Sequence, residues 1–416
     1  MSHKFFHLGK FSSAVAMVAL AACVAPSNPP PARAQTPRTA PPYTAPPRTT
    51  PPRTTPPRTS VPVPPISQAP RPEPTQPAPS YPQPRPSYQP TYPPPVAPTY
   101  PNNGASRPAP QLESELFELW RAFPGKTGIA VRRIDGGNWS VSQRGNELFP
   151  QQSVSKIWVA MTIFDKIDKG LITLNDEVVI GMNDLTLFHQ PIRARVLANG
   201  QVHETVRSLL EQSITKSDCT ANDSLLRYAG GPAAVRAFFR EKGITNVRFS
   251  EGERHMQSTI AGLTWQQSYS LGNNFERARA AVPLETRSRL LNNYIADPID
   301  GAAPEAIASA LGRLARGELL SRSSTNAMIG IMSRTTSGPN RLKAGLPSGW
   351  SFVHKTGTGQ VLGALQAGYN DVGIMTAPDG TRYAVVVMMG STTAPIPDRM
   401  QMMQGVSRSV AMWHSR

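Results

Sequence analysis

Leu112, Leu116, Leu119, Trp120 and Phe123 recur in "PQLESELFELWRAF" at the spacing of one helix face, which predicts an amphipathic opening helix. "TGIAVRRIDGGNWSVSQRG" follows, with β-rich runs either side of Gly136-Gly137, the pattern of a hairpin. From about Ser153 to Met332 the apolar positions keep helical periods. Strand character returns in "LQAGYNDVGIMTAPDGTRYAVVVMMGS", read as two strands joined around Asp379-Gly380. "PDRMQMMQGVSRSVAMW" then closes the chain as a helix with Pro397 near its start. Strands at both ends with helices between predict an α/β fold. Its antiparallel sheet is formed from the N- and C-terminal parts of the domain with flanking helices, and an all-helical lobe is inserted. A cleft between the two is the expected place for a site.

Ahead of Gln111 these periods vanish. In residues 1–23, Lys4 and Lys10 accompany an apolar run, Phe11 to Leu20, that is too short to span a bilayer, so an export signal is expected. Its end, "LAAC", resembles a bacterial lipobox, which makes Cys23 the expected lipidation site and the chain a periplasmic, membrane-anchored lipoprotein. Residues 24–110 contain the five-residue repeat "PPRTTPPRTTPPRTS" and otherwise Pro, Thr, Ser, Gln and Tyr with almost no aliphatic residues. Burial cannot offset chain entropy in such a segment, so an extended, disordered linker is expected. It carries eight arginines and one glutamate, Glu73, so part of the net charge of +16 belongs to the tether. There it suits either contact with anionic cell-wall polymer or lipid, or a solvated spacer. No nucleic-acid partner is expected. Residues 111–416 are long enough for a domain with a proper core.

Within that domain Cys219 is the only cysteine, the histidines are scattered, and no Cys/His cluster has zinc-ligand spacing. Neither metal, cofactor nor disulfide is expected. Ser153-x-x-Lys156 in "FPQQSVSKIWVAMTIF" heads an apolar helical run. Positions i and i+3 share a helix face, so the amine can approach the hydroxyl. An amine depressed by apolar neighbours would accept the serine proton and activate a weak nucleophile. The pattern alone is weak, since Ser213-x-x-Lys216 matches it too. Lys-Thr-Gly also occurs twice, at Lys126, where a loop needing glycine would explain it, and at Lys355.

Order separates the copies. Ser153-x-x-Lys156, then Ser217-Asp218-Cys219, then Lys355-Thr356-Gly357 resembles the ordered motif set Ser-x-x-Lys, Ser-Asp-Asn, Lys-Thr-Gly of the class A β-lactamases and penicillin-binding proteins. "GELLS" at 317–321, "AGLPSGW" at 344–350 and "KTGTG" from Lys355 are also similar to that family. The resemblance implies a serine hydrolase that opens a β-lactam amide through a Ser153 acyl-enzyme. It assigns Lys156 as base or its assistant and Ser217 as proton relay to the leaving nitrogen. Lys355, Thr356 and Arg341 would hold the substrate carboxylate on the strand that Gly357 continues. The N–H groups of Ser153 and Thr358 would form the oxyanion hole. Glu253, with Met256 and Gln257 after it, resembles the family's deacylating Glu-x-x-Leu-Asn, with Glu251 as the alternative. Two departures are visible. Cys219 stands where the family has an asparagine that binds the substrate amide and the lysine, so weak hydrolysis of ordinary penicillins is expected. The interval from Glu253 to Lys355 is also longer than is usual, the excess falling in "AGLTWQQSYSLGNNFERARAAVPLETRSRLLNNYI", a stretch with helical patterns and a start signal at Pro283 that could reshape or cover the pocket. A D-alanyl-D-alanine peptidase and a catalytically weak wall-binding lipoprotein are the alternatives.

Overall fold

The computed structural model describes residues 110–136 and 139–415. The predicted export signal with Cys23, the linker up to residue 109, and Gly137 of the predicted hairpin turn lie outside them.

The sheet is built from β1 (Lys126–Arg133), β2 (Ser140–Gln143), β7 (Ser351–Thr358), β8 (Val361–Leu362), β9 (Leu365–Thr376) and β10 (Arg382–Thr392). Its order is β2-β1-β10-β9-β7, every pair antiparallel, with β8 against the start of β9. Two ribbons stand apart, β3 (Phe149–Pro150) with β6 (Gly301–Ala302) and β4 (Glu177–Gly181) with β5 (Gln201–Thr205). β10 thus sits in the middle, with β1 and β2 on one side and β9 and β7 on the other, and the sheet joins the N- and C-terminal parts of the domain as predicted.

Both faces of the sheet are covered, which explains why "YAVVVMM" reads as one apolar run rather than an alternation. Val385, Val387 and Met389 join Ile129 and Val131 in a core with α1 (Pro110–Ala122) and α12 (Ile396–His414). Ala384, Val386 and Met388, on the opposite face, join Ala130 in the larger core with the helical lobe. That lobe comprises α2 (Lys156–Asp168), α3 (Arg193–Asn199), α4 (Val206–Thr215), α5 (Cys219–Tyr228), α6 (Gly231–Glu241) and α7 (Glu253–Ile260). Then come α8 (Asn274–Ala281) and α9 (Leu284–Ala296), and finally α10 (Pro304–Ala315) and α11 (Arg322–Met332). Helix α2 forms the lobe's axis, with residues Lys156 to Asp165 all buried.

The first Lys-Thr-Gly copy is part of strand β1, not a loop. Its glycine serves packing: a Cβ at Gly128 would come within 2.7 Å of the Phe149 ring. Lys126 crosses the same ring 5.1 Å from its centroid.

The long interval after Glu253 is also ordered. Pro283 starts α9 as its sequence suggested, and Leu291, Tyr294 and Ile295 pack with Met256, Ile260 and Ala367 in a small core of their own. Phe275 of α8 packs with Leu187 and Ala261 in another. This segment is a packed wall beside the cleft.

Candidate active site

Ser153 lies in a 3₁₀ turn, Gln152–Ser155, and Lys156 is the first residue of α2, so the pair is not within one α-helix as expected. The outcome is the same, because side chains at i and i+3 eclipse in a 3₁₀ turn. Lys156 Nζ donates to Ser153 Oγ at 2.8 Å. The turn is strained: Gln152 holds φ at +53°, a conformation that costs a non-glycine residue about 1–3 kcal/mol unless its surroundings enforce it. Strand β7 presses on it from the other side. A Cβ at Gly357 would lie 2.3 Å from the Gln151 carbonyl oxygen, which is why the motif's third residue has to be glycine.

Lys156 is fully buried and also donates to Glu253 Oε1 and toward Cys219 Sγ at 3.6 Å. The sequence reading of a depressed amine is therefore corrected. Burial does oppose the charge, but the Glu253 carboxylate in direct contact with the amine, with Asp223 behind it, outweighs it and holds the ammonium above its ordinary value. The depressed amine is Lys355 instead. Burial and the like charge of Lys156 push it well below the usual lysine range. It donates to Ser217 Oγ at 2.8 Å, and Ser217 is itself strained at φ +60°. Asp218 of the same motif is structural: it caps α5 by accepting from Ala221 N at 2.9 Å and ties it to Ile192 N at 2.8 Å.

Thr356 Oγ1 meets Ser337 Oγ at 2.7 Å. Arg341 lies 3.8 Å from the Tyr369 ring centroid and bonds Gly357 O, Asn370 O and Thr358 Oγ1, the last at 2.6 Å. Ser153, Ser217, Cys219, Glu253, Arg341 and Thr356 line one cleft of about 530 Å³, whose walls also carry Phe188, Lys216 and Arg279. Of the two candidate glutamates the fold brings only Glu253 to it. Glu251 is exposed and paired with Arg236 at 2.9 Å. Asp223, absent from the sequence reading, accepts from Glu253 N at 3.0 Å and anchors the start of α7. It lies four residues after Cys219 on α5, and that spacing was the available signal.

Cys219 is buried against Lys156, and burial pushes its thiol far up, so it rests as a neutral thiol that donates to the Ser217 carbonyl. It faces the cleft, where an asparagine amide would reach both Lys156 and a bound substrate. In Cys219→Asn, hydrolysis of penicillins bearing a side-chain amide is expected to rise about tenfold in kcat/KM, the worth of one recovered hydrogen bond. An unchanged or lower value in a protein of wild-type stability counts against this placement.

A buried Ser–Lys–Glu cluster facing a Lys–Ser–Thr wall, on a sheet with an inserted helical lobe, defines a serine hydrolase of the β-lactamase type. The model of the β-lactamase enzyme family matches residues 111–413, and the chain belongs to that family. It is 27% identical over 283 residues to the VEB-1 β-lactamase of Pseudomonas aeruginosa, spanning 68% of this chain and 83% of that one. It is 28% identical over 256 residues to the extended-spectrum β-lactamase PER-1 of the same organism, spanning 58% and 68%. Among solved structures, a β-lactamase from Chitinophaga pinensis aligns with TM-score 0.60 at 25% identity, over 72% of this chain and 98% of that one. An ancestral class A β-lactamase aligns with TM-score 0.58 at 27% identity, over 73% and 99%.

Proposed function

We propose that this protein hydrolyses the amide bond of β-lactam rings through an acyl-enzyme on Ser153. The observation that carries the reading is the shared contact of Lys156 Nζ with Ser153 Oγ and Glu253 Oε1 in one buried cluster. The resting ammonium of Lys156 cannot accept a proton, but passing one to Glu253 frees the amine to take that of Ser153. The Ser153 Oγ–carbonyl bond forms and the ring C–N bond breaks. Ser217, receiving from Lys355, hands its own proton to the departing nitrogen. Arg341 gives the cleft the positive charge and Thr356 a hydroxyl donor for a substrate carboxylate, and the N–H groups of Ser153 and Thr358 receive the oxyanion. Serine and glutamate both lie in hydrogen-bonding reach of one nitrogen, close enough to share one water. Glu253 releases its proton to solvent after acylation. As a carboxylate it takes that water's proton as the water oxygen attacks the ester, and Lys156 returns a proton to Ser153 Oγ as the Oγ–carbonyl bond breaks. A carboxylate at that position favours hydrolysis over the persistent acylation of a peptidase or an idle binder.

Absorbance of a chromogenic cephalosporin, with the intact mass of the protein read in parallel, tests the reading. Neither turnover nor an adduct would refute it. The export and anchoring reading belongs here too: Lys4, Lys10 and "LAAC" support a periplasmic lipoprotein acylated at Cys23, tethered by residues 24–110. Cys23→Ser is then expected to move the protein from the membrane pellet to the soluble fraction, and an unchanged pellet counts against it.

A further inference from the structure

Beneath the floor of the cleft runs a chain of buried hydrogen bonds that ends on the carboxylate of Asp300. Gln360 Nε2 donates to Gln257 Oε1 at 3.0 Å, and Gln257 Nε2 to Gln152 Oε1 at 2.8 Å. Gln152 Nε2 then donates to the Tyr294 hydroxyl at 2.6 Å, and that hydroxyl to Asp300 Oδ1 at 2.9 Å. The other oxygen of Asp300 accepts the backbone N–H of Gln152 at 2.7 Å. All five side chains are buried, and Asp300 has no accessible surface.

The direction of this chain follows from its end. An ionised carboxylate only accepts, so the tyrosine must give Asp300 its proton and must accept from Gln152. That turns the Gln152 amide oxygen toward Gln257, whose N–H₂ is thereby committed, and its oxygen to Gln360. The same Gln257 N–H₂ stands 3.4 Å from Glu253 Oε2. We propose that Asp300 and Tyr294, from the long segment between Glu253 and Lys355, are positioning residues for the reaction: they lock Gln152 in its left-handed turn beside Ser153, and fix the amide polarity that presents an N–H donor, not a carbonyl, to Glu253. The inference rests on the roles given to Ser153 and Glu253 above. A reversed chain would aim the Gln257 oxygen at the Glu253 carboxylate and push it off its station against Lys156.

Two observations set this apart from ordinary core packing. Among the described residues no cation pairs with Asp300. The ionisable groups facing it are Tyr294 of α9 and, further off, Glu253 of α7, while Arg248 beside it bonds Asp297 at the surface. Burial accordingly lifts the Asp300 carboxyl to about 6, above the usual carboxylate range. Because the folded value is raised, ionising Asp300 works against the fold as pH climbs through that range, yet only the ionised form holds the chain in the direction seen. Stability and positioning pull oppositely on this one group.

The experiment uses the full-length chain with Asp300→Asn and Tyr294→Phe. In Asp300→Asn the amide cannot accept on both atoms. In Tyr294→Phe the Gln152 amide loses its acceptor. Both should lower kcat for a chromogenic cephalosporin ten- to a hundredfold, the scale of a displaced catalytic group, with KM changed less than threefold. The wild-type kcat should fall as pH drops through about 6, and Asp300→Asn should lose that limb while unfolding no earlier than wild type at pH 7. Independently of turnover, the side-chain amide NMR signals of Gln152, Gln257 and Gln360 should shift together between pH 5 and 7 in the wild type. Wild-type kcat and pH profile in both variants, or amide signals indifferent to pH, overturn the proposal. A wild type with neither turnover nor adduct refutes the function proposed above, and the amide signals still decide this one.

Discussion

Ser153→Ala should lower turnover of a chromogenic cephalosporin by about 10⁴-fold or more, because removing a nucleophile leaves only the binding groups and the oxyanion donors to act on the ring. Stability should hardly change. The Ser153 hydroxyl receives one side-chain hydrogen bond, from Lys156, and that amine keeps its ion pair with Glu253 when the hydroxyl is gone. The strained turn is enforced by Asp300, by the close approach of Gly357 and by Tyr294, none of which touches the serine hydroxyl. Thermal unfolding should therefore stay within about 0.5 kcal/mol of wild type, as for a surface substitution. The intact mass after incubation with penicillin should show no adduct. A variant that still forms one places the acylated atom elsewhere, and the cluster would then be structural only.

The parts of this site that the sequence disclosed are those whose spacing or order is local. Ser153 and Lys156 are three residues apart. Ser217-Asp218 and Lys355-Thr356-Gly357 are contiguous, and their order distinguished the Lys355 copy from the one at Lys126. The sheet was legible for a similar reason: strands at both chain ends pair only if the ends meet, and β1 against β10 does this across the whole helical lobe. What stayed hidden depends on pairings between distant segments. A depressed Lys156 was the natural reading of "SKIWVAMTIF", where every neighbour in sequence is apolar. The fold places Glu253, 97 residues away, against the amine and reverses the direction. Asp300 and Tyr294 carry no local signal, being an aspartate before a two-residue strand and a tyrosine in an ordinary amphipathic helix. The second departure from the family pattern likewise resolves only in three dimensions. The long segment shows helical patterns and a start at Pro283 in sequence but nothing that places it, whereas in the fold its apolar residues build two small cores that fix it beside the cleft.

Glu253→Gln should convert a turning-over enzyme into a trapped one. The substitution removes the carboxylate that receives the water proton, while Ser153, Ser217 and the Lys355 wall remain. Deacylation should slow about 10³-fold, within the range of general-base losses. Acylation should survive better, for a reason visible in the cluster. Burial is the largest influence on Lys156 and acts to lower its pKa, and it is outweighed only by neighbouring negative groups, Glu253 in direct contact among them. With a neutral amide there, burial gains, and the amine titrates at a lower pH than in the wild type. A neutral Lys156 can take the Ser153 proton unaided, so the acylation rate of the variant should rise with pH as that amine deprotonates, and below that range it should fall. The measurable signature is a burst of one equivalent of product per protein, followed by near arrest, with the penicillin mass retained on the chain for minutes. Turnover within tenfold of wild type, with no retained mass, would mean that some other group activates the water, and Glu253 would then serve only to hold Lys156.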